Sequence, residues 1–204
     1  MSTEINPVVN IEAVEEQKNP SAPDRLKRVK LIVAYDGTNY HGWQVQPNGE
    51  TIEGVLNRTL SSLLGEKIVV TGASRTDAGV HSMGNVAVFD TKSRIPAEKI
   101  SYALNQRLPE DIVVQKSEEV PSDFHPRHCD SRKTYEYRIL NREFPLPMYR
   151  NNTYFCYRKL DLEKMQQAAE YLKGEHDFKS FCATAAVVET CLLYTSDAAD
   201  DLTR

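Results

Sequence analysis

The order of periodic segments between Val29 and Val120 constrains this chain more than any other feature of its sequence. "VKLIVAYDG" reads as a strand ending in a turn. "TIEGVLNRTLSSLLG" spaces Ile52, Val55, Leu56, Leu60, Leu63 and Leu64 as a helix, with Thr51 as N-cap and Gly65 at the C-cap. "KIVVTGAS" and "GNVAVFDT" read as strands on either side of a loop. "PAEKISYALNQRL" is a second helix opened by Pro96 at a first-turn position, and "DIVVQKSEEV" is a further strand. Strand, helix, strand, strand, helix, strand is the order of a split βαβ, ferredoxin-like unit, in which helices cover one sheet face and leave the other open. Downstream, "SRKTYEYRIL" and "NTYFCYR" predict two more strands. "DLEKMQQAAEYLKGEHDF" predicts a third helix with Ala168, Ala169 and Leu172 on its buried side.

Composition narrows the class. The 204 residues are 40% hydrophobic and 26% charged, enough for one globular domain or two small ones with a real core. No apolar run approaches the roughly 18–20 residues of a membrane-spanning helix. The N-terminus lacks a basic-then-apolar leader pattern, so a cytosolic protein is expected. Cys129, Cys156, Cys182 and Cys191 form no CxxC pair and are expected as reduced thiols. A net charge of -4 excludes a uniformly basic surface. Part of that charge lies in residues 1–26, where Glu4, Glu12, Glu15, Glu16 and Asp24 outnumber Lys18 and Arg25 among several prolines; this stretch reads as a disordered acidic tail. The remainder is nearer neutral, with room for a local basic groove.

Three stretches carry residues suited to chemistry. "GASRTDAGVHS" sets Asp77 in a loop, with Arg75 two positions before it and Gly79 two after. A carboxylate held by backbone N–H groups and facing an arginine stays ionised at neutral pH, which suits a nucleophile or base; an aspartate closing an Asx-turn is the alternative. "YDGTNYHGWQVQ" gathers Tyr35, Tyr40 and Trp43 with Asp36, His41 and Gln44 as a recognition loop or as packing, with Trp43 expected to pack. "DFHPRHCDSRKTYEYR" interleaves Arg127, Arg132, Lys133 and Arg138 with Phe124, His125, Tyr135 and Tyr137, a mixture that can hold phosphates and stack bases, although Pro126 also suits a plain turn. As a strand, "KTYEYR" sends Tyr135 and Tyr137 to one face, where a ring can lie against a flipped-out base. His125, His128 and Cys129 match no common zinc spacing, and no metal is expected.

"YDGTNYHGWQVQ", "SRTDAGVHS", "FHPR", "KTYEYRI" and "GEHDFKSFC" occur in the order and spacing of the bacterial TruA-type tRNA pseudouridine synthases, which the chain resembles from about Val29 to Thr190. The resemblance implies an α+β pseudouridine synthase fold of two ferredoxin-like halves around a central cleft, and a homodimer. It implies an enzyme that isomerises uridine in the anticodon stem-loop of tRNA without metal or organic cofactor. On it, Asp77 matches the catalytic aspartate, Arg75 the neighbouring basic residue that positions RNA, and Tyr135 the ring that packs on the target base. Phe124, His125 and Arg127 are candidate tRNA contacts. The domains expected are an N-terminal half over 27–121 carrying the catalytic loop and a partial, incomplete C-terminal half over 122–190.

After "FCATAAVVET" the resemblance leads to the expectation of an arginine-bearing strand, in an Arg-Thr-Ile-like motif, and then further strand and helix. The chain reads "CLLYTSDAADDLTR" instead, which looks like the translation of a transposon sequencing adapter. Residues 191–204 are therefore expected to be a non-native tail, and the chain as written to be inactive or poorly folded; a genuine terminal strand is the alternative, and both readings give strand through Val187–Tyr194. Two other functions compete: a non-catalytic RNA-binding module built on the same sheet, and a carboxylate-pair glycosidase, for which Asp77 lacks an evident partner.

Overall fold

The computed structural model describes residues 25–129, 132–178, 180 and 191–193, so most of the acidic tail and most of the adapter-like tail lie outside the described residues. The chain divides into two compact units, Met1–Ser131 and Arg132–Arg204.

In the first unit, β1 (Lys27–Tyr35), α1 (Ile52–Leu64), β2 (Thr71–Gly72), β3 (Ser82–Thr91), α2 (Ala97–Asn105) and β4 (Ile112–Val120) follow the expected order. They form one antiparallel sheet in the order β2-β3-β1-β4. Strands β1 and β2 thus run parallel one strand apart and are joined through α1, as β3 and β4 are through α2, so that two βαβ units interleave. Alternation along β1 sends Val29, Leu31, Val33 and Tyr35 into the core. There they meet Ile52, Leu56 and Leu60 of α1 and Ile100 and Leu104 of α2. Helix α1 begins where the Thr51 hydroxyl accepts the Gly54 N–H and ends where the Gly65 N–H returns to the Ser61 carbonyl. Pro96 stands one place earlier than expected, as the N-cap of α2, because its extended backbone (φ −52°, ψ 137°) lies outside the helix.

Three expectations about strands need correction, and the first is "NTYFCYR", which keeps only Tyr154–Cys156. The "KIVVTGAS" strand contracts to the two residues of β2. In the second unit, "SRKTYEYRIL" contributes only β5 (Ile139–Asn141), which pairs in parallel with β6 (Tyr154–Cys156). Arg138 reaches β6 through its carbonyl, which accepts the Tyr154 N–H (2.8 Å), but Lys133 to Tyr137 have no partner strand among the described residues, and alternation without a partner does not make a strand.

Helix α3 (Leu162–Glu170) forms with Asp161 as its N-cap but stops short of the helix expected over "DLEKMQQAAEYLKGEHDF", because Gly174 at φ +101° leaves helical geometry and Gly174–His176 is strand instead. Its expected buried side is not buried, since Ala168 and Leu172 are exposed and Ala169 half-buried. The apolar stripe identifies a face, but no described element covers it. Strands β7 (Gly174–His176) and β8 (Cys191–Leu193) pair antiparallel; the remainder of the strand expected through Val187–Tyr194 lies outside the described residues. Among the described residues no helix is long and apolar enough to cross a membrane.

Candidate active site

The loop carrying Asp77 leaves the sheet at the end of β2. The β2–β3 ladder runs through Thr71–Val88 and Gly72–Ala87, and continues as the Ala73 N–H donating to the Val86 carbonyl (2.7 Å). At Ser74 the backbone partner is replaced by a side chain. The Ser74 N–H donates to Asn85 Oδ1 (3.3 Å), and Asn85 Nδ2 donates to the Ser74 carbonyl (3.0 Å). Two residues on, the Thr76 hydroxyl pairs with the Tyr35 hydroxyl (2.8 Å) and its carbonyl accepts the Trp43 N–H (3.0 Å). Asp77 then opens a four-residue turn closed by the Val80 N–H on the Asp77 carbonyl (3.2 Å). Gly79 occupies its third position at φ +78°, where a side chain is disfavoured.

The Asp77 carboxylate is exposed and, among the described residues, takes no hydrogen bond or ion pair. Both sequence readings of its surroundings are therefore corrected. It closes no Asx-turn, because the Gly79 N–H donates to the Tyr40 carbonyl (3.2 Å) and the backbone alone shapes the turn. Nor is it paired with Arg75, which is exposed and extends from the same loop.

The aromatic loop after β1 supports this one from below. Tyr35, Tyr40 and Trp43 are buried, so their role here is packing. Burial pushes the Tyr35 hydroxyl up, and burial followed by the Asp111 carboxylate pushes Tyr40 further up, Tyr40 donating to Asp111 Oδ1. His81 Nδ1 meets the Gly37 N–H (3.2 Å) and Asp36 Oδ1 (3.0 Å). The Thr38 hydroxyl and N–H, with a smaller contribution from His81, hold Asp36 below the usual carboxylate range.

The "FHPR" segment crosses the open sheet face. Leaving β4, it places the Phe124 carbonyl on Arg28 Nη1 (3.0 Å) and the Phe124 ring 5.8 Å from Lys30 Nζ. At the opposite edge Arg127 Nε donates to the Gly72 carbonyl (2.9 Å), at the root of the Asp77 loop. Between these anchors Pro126 is buried. The His125 and His128 rings lie 4.4 Å apart, and desolvation, then the charges of His128 and Arg127, lower the affinity of His125 for a proton. Beneath the strap the face is lined by ion pairs: Arg28 holds Asp90 with two hydrogen bonds of 2.8 Å, while Lys30 and Lys116 converge on Glu118. Among the described residues no group of three or more His, Cys, Asp or Glu side chains is placed to hold a metal ion.

The structure thus ties Phe124 and Arg127 to the sheet that carries Asp77, with His125 on the segment between them. Tyr135 lies in the second unit, outside any strand and 83% exposed. Sequence reasoning missed Asn85. Its signal was present: in "GNVAVFDT" Asn85 falls in the same alternating row as the buried Ala87 and Phe89, and a polar side chain on a core-facing row has to be hydrogen-bonded. Chemically, an exposed carboxylate with its acceptor capacity unspent, on a loop fixed by backbone bonds, can meet an electron-poor carbon or take a proton.

Comparison with known proteins adds an independent line. The family described as tRNA pseudouridine synthase matches residues 31–128. The chain is 48% identical over 172 residues to the tRNA pseudouridine synthase A of Acetivibrio thermocellus, covering 84% of this chain and 70% of that protein. It is 48% identical over 165 residues to that of Ruminiclostridium cellulolyticum (81% and 67%), and 47% identical over 161 residues to that of a Thermoanaerobacter species (79% and 66%).

Proposed function

The chain belongs to the tRNA pseudouridine synthase family, and we propose that it isomerises uridines in the anticodon stem-loop of tRNA with Asp77 as the reacting carboxylate. The reaction breaks the bond from uracil N1 to ribose C1′, turns the base, and joins C5 to C1′. The C5 proton is lost and N1 is protonated, so nothing is gained or lost overall. An anionic group has to meet the electron-poor sugar or base during this exchange, by addition or by taking a proton.

The observation that carries this reading is that Asp77 presents an exposed carboxylate, unpaired among the described residues, on a loop whose backbone is held by Ser74, Thr76 and Gly79. Arg75, exposed on the same loop, is read as an RNA contact. Arg127 holds the loop root at Gly72, and Phe124 and His125 lie on the segment that leads to it across the sheet; all three are read as tRNA contacts. The exposed Tyr135 ring is read as the surface that packs on the target base. The fuller reading is a homodimeric, cytoplasmic enzyme of two ferredoxin-like halves, 27–121 and 122–190, around a cleft. It works without metal or organic cofactor, since an aspartate suffices for the exchange.

The test is Asp77→Asn. It should leave tRNA binding within about threefold and abolish tritium release from uracil-C5-labelled tRNA, because an amide is a poor nucleophile and base. Binding by parent and variant with release from neither, in a form whose residues 191–204 are exchanged for a full family C-terminus, would favour a non-catalytic RNA-binding module.

A further inference from the structure

We propose that Asn85 is a positioning residue that sets where the Asp77 loop leaves the sheet. The inference rests on the reading of Asp77 as the reacting carboxylate.

Strands β2 and β3 pair backbone to backbone through Gly72–Ala87, with the Ala73 N–H still reaching the Val86 carbonyl. One residue later the Asn85 carboxamide takes both the N–H and the C=O of Ser74. A carboxamide carries the same donor and acceptor as a peptide group, so it can continue a ladder from the side chain. The partner strand is then held a side chain's length from β3 instead of at ladder spacing. The loop is displaced from the sheet without any of its backbone groups at Ser74 being left unpaired.

Asn85 is 6% exposed and sits opposite Val33 in the β1–β3 register, so it has no route to RNA. Its packing among core residues also restricts its rotamer, and a restrained amide positions what it holds. The Tyr35 hydroxyl on the Thr76 hydroxyl provides a second attachment immediately before Asp77, and the two hold both residues flanking Arg75, Ser74 by its backbone and Thr76 by its side chain. A catalytic carboxylate needs placement within fractions of an ångström of its target, and Asn85 supplies it through Ser74 rather than by contact with substrate.

Hydrogen exchange of the intact protein tests this directly, with Asn85→Ala and Asn85→Leu; the leucine fills the same buried volume without an amide. Scored against the amides of α1 so that any global opening cancels, exchange across residues 74–78 is expected to rise about tenfold or more in both variants. In single turnover at saturating enzyme, made in the form whose residues 191–204 are exchanged for a full family C-terminus and reading the reaction of bound tRNA whatever fraction is folded, the rate constant should fall about tenfold or more while the tRNA Kd stays within about threefold. Unchanged relative exchange at 74–78, or a single-turnover constant equal to that of the parent chain, overturns the proposal. Asp77→Asn is the control for the underlying reading: if it turns over normally, Asp77 is not the reacting carboxylate, and the exchange result still decides whether Asn85 holds the loop.

Discussion

Gly42 presses its backbone against the carbonyl oxygen of Thr76. A Cβ on Gly42 would lie 2.4 Å from that atom, and its φ of +83° is one that side chains resist. The aromatic loop and the Asp77 loop therefore interlock through main chain, next to the Trp43 N–H that also binds Thr76. Gly42→Ala should destabilise the protein by about 2–4 kcal/mol, combining a strained φ with a contact that neither backbone can yield cheaply. Urea unfolding measures the loss, and a midpoint shift within error would show that the two loops separate freely.

Arg127 uses Nε on the Gly72 carbonyl, and its exposed guanidinium offers the rest of its fork to a phosphate. Arg127→Ala should weaken tRNA binding and flatten the slope of log Kd against log salt by about 0.7–0.9, the value of one phosphate contact. Binding titrations at several salt concentrations give the slope; an unchanged slope assigns Arg127 to the loop alone.

Glu118 is drawn down to about 2 from an ordinary value of 4.5, first by hydrogen bonding to Lys116 and then to Lys30. A depressed folded value means that its contribution is complete above about pH 4.5 and is lost as the pH falls towards 2. Because the site is partly open to solvent, the contribution is discounted to about 1 kcal/mol or less. Glu118→Gln should therefore be less stable than the parent at pH 7 and equal to it near pH 2, read from denaturant midpoints at the two pH values. A difference that grows on acidification would contradict the assignment.

For Tyr135 the proposed role belongs to the ring. Tyr135→Phe should retain most turnover, whereas Tyr135→Ala should lose about tenfold or more, consistent with the roughly 1–3 kcal/mol that a base–aromatic stack contributes. Collapse of activity in the phenylalanine variant would move the role to the hydroxyl.

The first unit was legible because its periodicities had partners. Ile52, Leu56 and Leu60 met the β1 row of Val29, Leu31 and Val33, and the Thr51 and Gly65 caps stand where the sequence placed them. The contraction of β2 was not legible, since Ser61 and Asn57 of α1 take the N–H groups of Ile68 and Val70 at its start and Asn85 replaces a ladder partner at its end, tertiary facts written nowhere in residues 67–74. In the second unit, Leu140 is the only described residue that is buried. There the alternation of "KTYEYR" and the stripe on α3 named faces without saying what would cover them. Asp77 was legible as a candidate from its motif, but its local chemistry was not: the expected N–H donors and arginine partner are absent around it among the described residues, and the turn is shaped by Val80 and Gly79 instead.

The most direct measurement is tritium release from uracil-C5-labelled tRNA, comparing the parent sequence with its Asp77→Asn variant. It is made in the chain and in a form whose residues 191–204 are exchanged for a full family C-terminus. Release that requires Asp77, at matched tRNA binding, is the predicted result. Release that persists in Asp77→Asn, or its absence from every form that binds tRNA, would contradict the account.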